Sequence, residues 1–98
     1  MSDEQTLTSA EAGDLATVFA LLTDDELDLV LTSWREAFEM VLDRLVEGSE
    51  RSAAVTLSGL DARLLARALT LVTRSETDFA FGDDTTVFEA ATTKIGGR

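Results

Sequence analysis

Apolar residues recur along this chain at helical spacing, and short hydroxyl–acid patterns punctuate them. Leu15, Val18, Phe19 and Leu22 follow i, i+3, i+4, i+7, with Ala12 on the same face. That spacing predicts a first helix over residues 8–22, weakened in its middle by Gly13, which costs up to about 1 kcal/mol relative to alanine. The strongest periodicity covers residues 23–47. At about 100° per residue, Leu27, Val30, Leu31, Trp34, Ala37, Phe38, Val41, Leu42 and Leu45 share one face, and Glu36, Glu39 and Asp43 lie opposite. One long helix is expected there, with Gly48 at the position of a C′ glycine. A third helix is expected over residues 58–73. Leu64, Leu65, Ala68, Leu69, Leu71 and Val72 give it a broad apolar arc, which implies burial on most sides. Arg63, Arg67 and Arg74 form its polar stripe.

Three helix starts are written in one local pattern. Leu7-Thr8-Ser9-Ala10-Glu11-Ala12, Leu22-Thr23-Asp24-Asp25-Glu26-Leu27 and Leu57-Ser58-Gly59-Leu60-Asp61-Ala62 each read as a capping box inside a hydrophobic staple. The hydroxyl accepts from an N–H of the first turn, and the acid three residues on accepts from the cap's own N–H. Asp24, Asp25 and Glu26 also suit the positive end of the helix dipole. No longer repeat is read from the sequence.

The remaining segments are less regular. Residues 1–7 read as a frayed terminus, leaving 8–96 as a single helical domain. Residues 75–78 read as a turn. The alternation Phe79-Ala80-Phe81 suggests a short strand, and a two-stranded β element joining residues 53–57 to 77–81 is expected. Val87, Phe88, Ala91 and Ile95 fit a last helix ended by Gly96 and Gly97, against a competing reading of residues 85–90 as a strand. The expected fold is mainly α: three to four helices around one long central helix, with that small β element.

Composition narrows the chemistry. The chain has 98 residues, no cysteine and no histidine. Disulfides and thiolate metal sites are excluded, and the commonest general base and metal ligand are missing. Nineteen acids against eight bases give a net charge of −11. Direct binding of nucleic acid or of an anionic membrane surface is therefore not expected. One lysine (Lys94) against seven arginines, with a single isoleucine, fits a GC-rich genome, and the acid excess also suits a high-salt cytoplasm. No apolar run approaches membrane-spanning length, and the acidic start carries no signal-peptide pattern, so a cytoplasmic protein is expected.

No catalytic motif is present: no Gly-x-Ser-x-Gly, no phosphate-binding glycine loop and no nucleotide fingerprint. The acidic runs at residues 24–28 and 83–84 lack the spacing of a calcium loop. No enzyme activity, cofactor, metal or small-molecule substrate is expected. Arg63, Arg67 and Arg74 are a candidate ion-pair or anion-binding stripe. The main functional expectation comes from length. A helix over residues 23–47 would measure roughly 37 Å, against about 33 Å for the diameter of a compact domain of this size. Its apolar face is too long for a few short helices to cover. A partner interface is expected at Leu27, Val30, Leu31, Trp34, Phe38, Val41 and Leu42, most simply in a homodimer. Leu21, Leu29 and Met40 lie off that face and suggest a second contact patch. Two other functions fit the same composition: an acidic mimic of nucleic acid that blocks a basic protein, and a structural subunit of a virion or compartment.

Overall fold

The structure, a computed structural model, describes residues 4–96. Strand β1 (Gln5–Leu7) leads into helix α1 (Ser9–Phe19) and helix α2 (Asp24–Leu31). A single 3-10 turn, Thr32–Trp34, then enters helix α3 (Arg35–Glu50). Strand β2 (Val55–Leu57) leads in the same way into α4 (Gly59–Leu69), α5 (Arg74–Phe81) and α6 (Thr86–Gly96). The domain is mainly helical, with principal extents of 34 × 32 × 27 Å.

The element order is a strand and three helices, repeated. The repeat has a constant offset of fifty residues: Leu7 matches Leu57, Thr23 matches Thr73 and Phe38 matches Phe88. Thr6, Ala12, Leu15, Ala16, Leu21, Glu26, Asp28 and Glu39 also recur unchanged fifty positions on. Burial repeats too, with Ala12 and Ala62, Leu15 and Leu65, Phe38 and Phe88, and Leu45 and Ile95 all in the core. The strands are antiparallel, with Thr6 opposite Thr56, Gln5 opposite Leu57 and Leu7 opposite Val55. Thr6 faces its own equivalent, Thr56, and the two flanking pairs exchange with each other, so a pseudo-two-fold axis passes between Thr6 and Thr56. The halves are interwoven around it: α6 packs on α1, α3 on α4, α2 on α4 and α5 on α1. A half of about fifty residues would bury too little surface alone, and here each supplies the other's core.

Local chemistry sets the helix starts. Thr8 accepts from Glu11 N and Glu11 accepts from Thr8 N, at 3.1 and 2.8 Å. Ser58 and Asp61 make the same reciprocal pair at 3.1 and 3.2 Å. Thr73 and Glu76 form a further box that starts α5, where the sequence suggested a turn over residues 75–78 and a strand at 79–81. Those residues are helical, so β2 does not pair with residues 77–81. Its partner is Gln5–Leu7, part of the segment expected to be frayed.

The expected helix over residues 23–47 is interrupted. Thr32 ends α2 at φ 47°, ψ −117°, and α3 starts three residues later. A 3-10 turn advances about 120° per residue against 100° for an α-helix. In the sequence the apolar positions continue at helical spacing on both sides of the break, so periodicity alone does not reveal it. Helix α3 runs past Gly48, which is not a C′ residue. A Cβ at Gly48 would sit 2.3 Å from Val55 Cγ2, so glycine lets the chain of β2 pass close by. Ser52, at φ 54°, makes the left-handed turn instead. The first and third helices stop at Phe19 and Leu69, short of residues 22 and 73.

Candidate functional site

The molecule has two equivalent elbows, one between α2 and α3 and one between α5 and α6. At the first, Thr32 N–H donates to Asp28 O and closes α2. The Arg35 guanidinium folds back over the bend. It donates to Asp28 Oδ1 at 2.7 Å, to Asp24 Oδ1 at 2.9 Å and to the Asp24 carbonyl at 3.2 Å. Glu39 Oε1 lies 3.7 Å away on the next turn of α3. The hydrogen bond to Asp24 raises the Arg35 pKa; burial opposes it, and Asp28 and Glu39 add to the rise. One guanidinium thus sits among three carboxylates and offsets part of their mutual repulsion at this corner. Trp34 stands beside it, 47% exposed.

The second elbow bends at the equivalent residue, but it lacks the 3-10 turn and its following helix starts one equivalent position later. Gly82, fifty residues after Thr32, has φ 63°, ψ −128°, and its N–H donates to Asp78 O at 2.8 Å. Asp78 stands for Asp28 and Glu89 for Glu39. Thr85 stands at the sequence position where the first elbow has Arg35, just before α6 rather than inside it. A cleft of about 500 Å³ opens there, lined by Asp78, Gly82, Asp83, Thr85, Phe88 and Glu89. Arg74, in the place of Asp24, also lines the cleft and forms no ion pair among the described residues. Asp14 on α1 lies near this corner; burial, then the charge of Asp84, push its carboxyl above the ordinary value.

The residues expected at an interface are placed unevenly. Leu27, Leu31, Phe38 and Val41 are buried among the chain's own helices, with Phe38 edge-on to Phe19 at 5.5 Å. Val30 and Leu42 are half-buried, and only Trp34 of this set is exposed. The break at Thr32 turns α2 onto α4, so the halves cover the face that one long helix would have left bare. Arg63, Arg67 and Arg74 do not share one helix, since α4 ends at Leu69. None of the three makes an ion pair among the described residues. The organising cations are Arg35, Arg44 and Lys94, which the sequence reading did not single out. For Arg44 and Lys94 the signal was the fifty-residue offset, which aligns the two cations and their acid partners with each other.

The most exposed of the large apolar side chains are Phe79 (81%) and Leu29 (79%). They occupy the same position of the two halves, each directly after an exposed aspartate, Asp28 or Asp78. Trp34, Met40, Val46 and Leu60 are exposed as well, but their counterparts are Asp84, Ala90, Gly96 and Ala10. Among the described residues no group of three or more acids is arranged to hold a metal ion, and no helix is long and apolar enough to cross a membrane. No family model matches the chain, and no curated protein or solved structure matches it either.

Proposed function

We propose that the chain is a non-catalytic protein–protein interaction module that docks its partner through the outer faces of α2 and α5. The supporting observation is the pair Leu29 and Phe79. An exposed large apolar residue on one helix needs no explanation. The same exposure at both equivalent positions, beside the same aspartate, fits a contact made twice. Asp28 is already paired with Arg35, so the complementary partner presents an apolar side chain rather than a basic one, and it presents it twice, as a symmetric dimer would. Self-association is the case in which the partner is a second copy; Trp34, with half-buried Val30 and Leu42, is what remains for it of the expected interface. A net charge of −11 opposes that case at low salt.

Photo-crosslinking residues installed at positions 29 and 79 test the proposal in native cells. Both should trap the same partner, while a control at exposed Glu50 traps nothing. The variant Leu29→Ser with Phe79→Ser should keep its melting temperature and lose co-purification of that partner. Unrelated products at the two positions, or co-purification unchanged in the double variant, would reject it. A trapped product of twice the chain mass, with sedimentation showing the same dimer, would identify a second copy as the partner.

A further inference from the structure

We propose that this chain forms a dimer by exchanging halves with a second copy of itself. The surface involved is the one each half already offers the other. Helix α6 lies on α1 and β1, α4 on α2 and α3, and β2 on β1. The ion pairs Lys94–Glu11 and Arg44–Asp61 also cross between the halves. Only residues 51–54 join residues 5–50 to residues 55–96, and all four are exposed. A half from another copy can make every one of the crossing contacts, and only the linker has to change.

The linker is where the closed form is strained. Ser52 turns the chain at φ 54°, a left-handed conformation that a residue with a Cβ seldom adopts. Ala53 N–H donates to the Gly48 carbonyl at 2.9 Å and Ser52 N–H to the Ser49 carbonyl at 3.3 Å. An extended linker releases Ser52, and short hinges under strain favour exchange for this reason. Four extended residues reach about 13 Å, enough to carry the chain into a second lobe lying against the first. Both forms make the same core contacts, so a short linker sets their balance near millimolar chain concentration. Relief at Ser52 lowers that concentration about fivefold or more. The net charge of −11 per chain opposes the dimer at low salt. Leu29 and Phe79 stay outside in either form, so the inference does not rest on the docking surface proposed above.

Refolding the full chain from urea in high salt, at micromolar and at millimolar concentration, tests it by size-exclusion chromatography with light scattering. The dimer fraction should rise with concentration and persist on dilution, because the halves must part before either chain can close. Ser52→Gly accepts the left-handed turn without strain and should lower the dimer fraction several-fold at equal concentration. Ser52→Val should raise it several-fold. Crosslinking then identifies the exchange. The chain has no cysteine, and Thr6 and Thr56 are exposed and opposite each other. Thr6→Cys and Thr56→Cys chains with different mass tags are refolded together, and the dimer is treated with a short thiol crosslinker. Unlike chains should be joined and like chains should not. A monomer at every concentration, a dimer fraction indifferent to residue 52, or like chains joined as often as unlike ones would overturn the inference.

Discussion

Lys94 and Arg44 stand fifty residues apart at equivalent positions, and each locks the first helix of the other half. Lys94 Nζ bonds Glu11 Oε1 at 2.7 Å and the Thr6 carbonyl at 3.2 Å. Arg44 bonds Asp61 Oδ2 and the Thr56 carbonyl. In each case the cation ties a capping-box acid to the outward carbonyl of the neighbouring strand. That closes the sheet edge and the helix start together. Both halves must be in place for either lock to form, so the locks report assembly of the whole domain.

Lys94→Met should destabilise the domain by about 1–2 kcal/mol, because it strands a carboxylate that is only 8% exposed. Arg44→Met should cost less, since Asp61 and Arg44 are both better hydrated than Glu11 and Lys94. Lys94→Arg, which copies the other half, should be nearly neutral. Urea unfolding of the three variants checks the order.

These locks predict the direction of the acid response. Burial pushes the Glu11 carboxyl up, but hydrogen bonds from Lys94 and the Thr8 N–H outweigh it and hold the carboxyl below its ordinary value. Asp61 is held low in the same way by Arg44 and Ser58. A carboxylate depressed in the folded state stabilises fully above its unfolded pKa, about 4, and loses that contribution as pH falls through the lower folded value. The stability gap between wild type and Glu11→Gln should therefore be constant near neutrality and close below about pH 4. Asp14 is raised by burial and Asp84, so Asp14→Asn should instead stabilise near neutrality, with the gain fading as pH falls through its raised pKa. Thermal melts between pH 7 and 3 distinguish the two signs.

The first elbow carries backbone strain that the second avoids. Thr32 has φ 47° where its counterpart is Gly82 at φ 63°. Thr32→Gly should stabilise the domain by about 1 kcal/mol, a rise of roughly 4–8 °C in melting temperature. Gly82→Thr should lower it by a similar amount. A melting temperature unchanged in both variants would contradict the account.

Two helical glycines should respond oppositely to alanine. An added Cβ at Gly13 meets the Ser49 hydroxyl at 2.6 Å, which can rotate away, and Ser49 Cβ at an ordinary 3.4 Å, so Gly13→Ala should gain up to about 1 kcal/mol from helix propensity. At Gly48 the added methyl would strike Val55 Cγ2 at 2.3 Å and approach the Ala53 carbonyl at 3.1 Å. Gly48→Ala should cost about 1–3 kcal/mol through overpacking. Calorimetry of the pair checks both signs.

The candidate sites were only partly legible in the sequence. Leu29 stood out as an apolar residue on a polar face, but its equivalence with Phe79 depends on an alignment of the halves. Phe79 looked like part of a strand because Phe79-Ala80-Phe81 alternates. In the structure Phe81 turns inward against Phe88, with ring centroids 5.1 Å apart, and Phe79 stays in solvent. The cleft at Gly82 has no signature of its own. It differs from the first elbow at two equivalent positions, with Arg74 for Asp24 and Thr85 for Arg35.

The sequence by itself determined what local chemistry can enforce. Boxes at Thr8 and Ser58 and a cap at Thr23 start helices where they were read, and apolar spacing identified most of the core. Those interactions span three or four residues and act before the chain folds on itself. The tertiary structure alone decided the bend at Thr32, the pairing of Gln5–Leu7 with Val55–Leu57, and the burial of Leu27, Leu31, Phe38 and Val41. Each of these joins residues far apart in the chain. A helix face shows that it must be covered, but what covers it depends on the other half arriving.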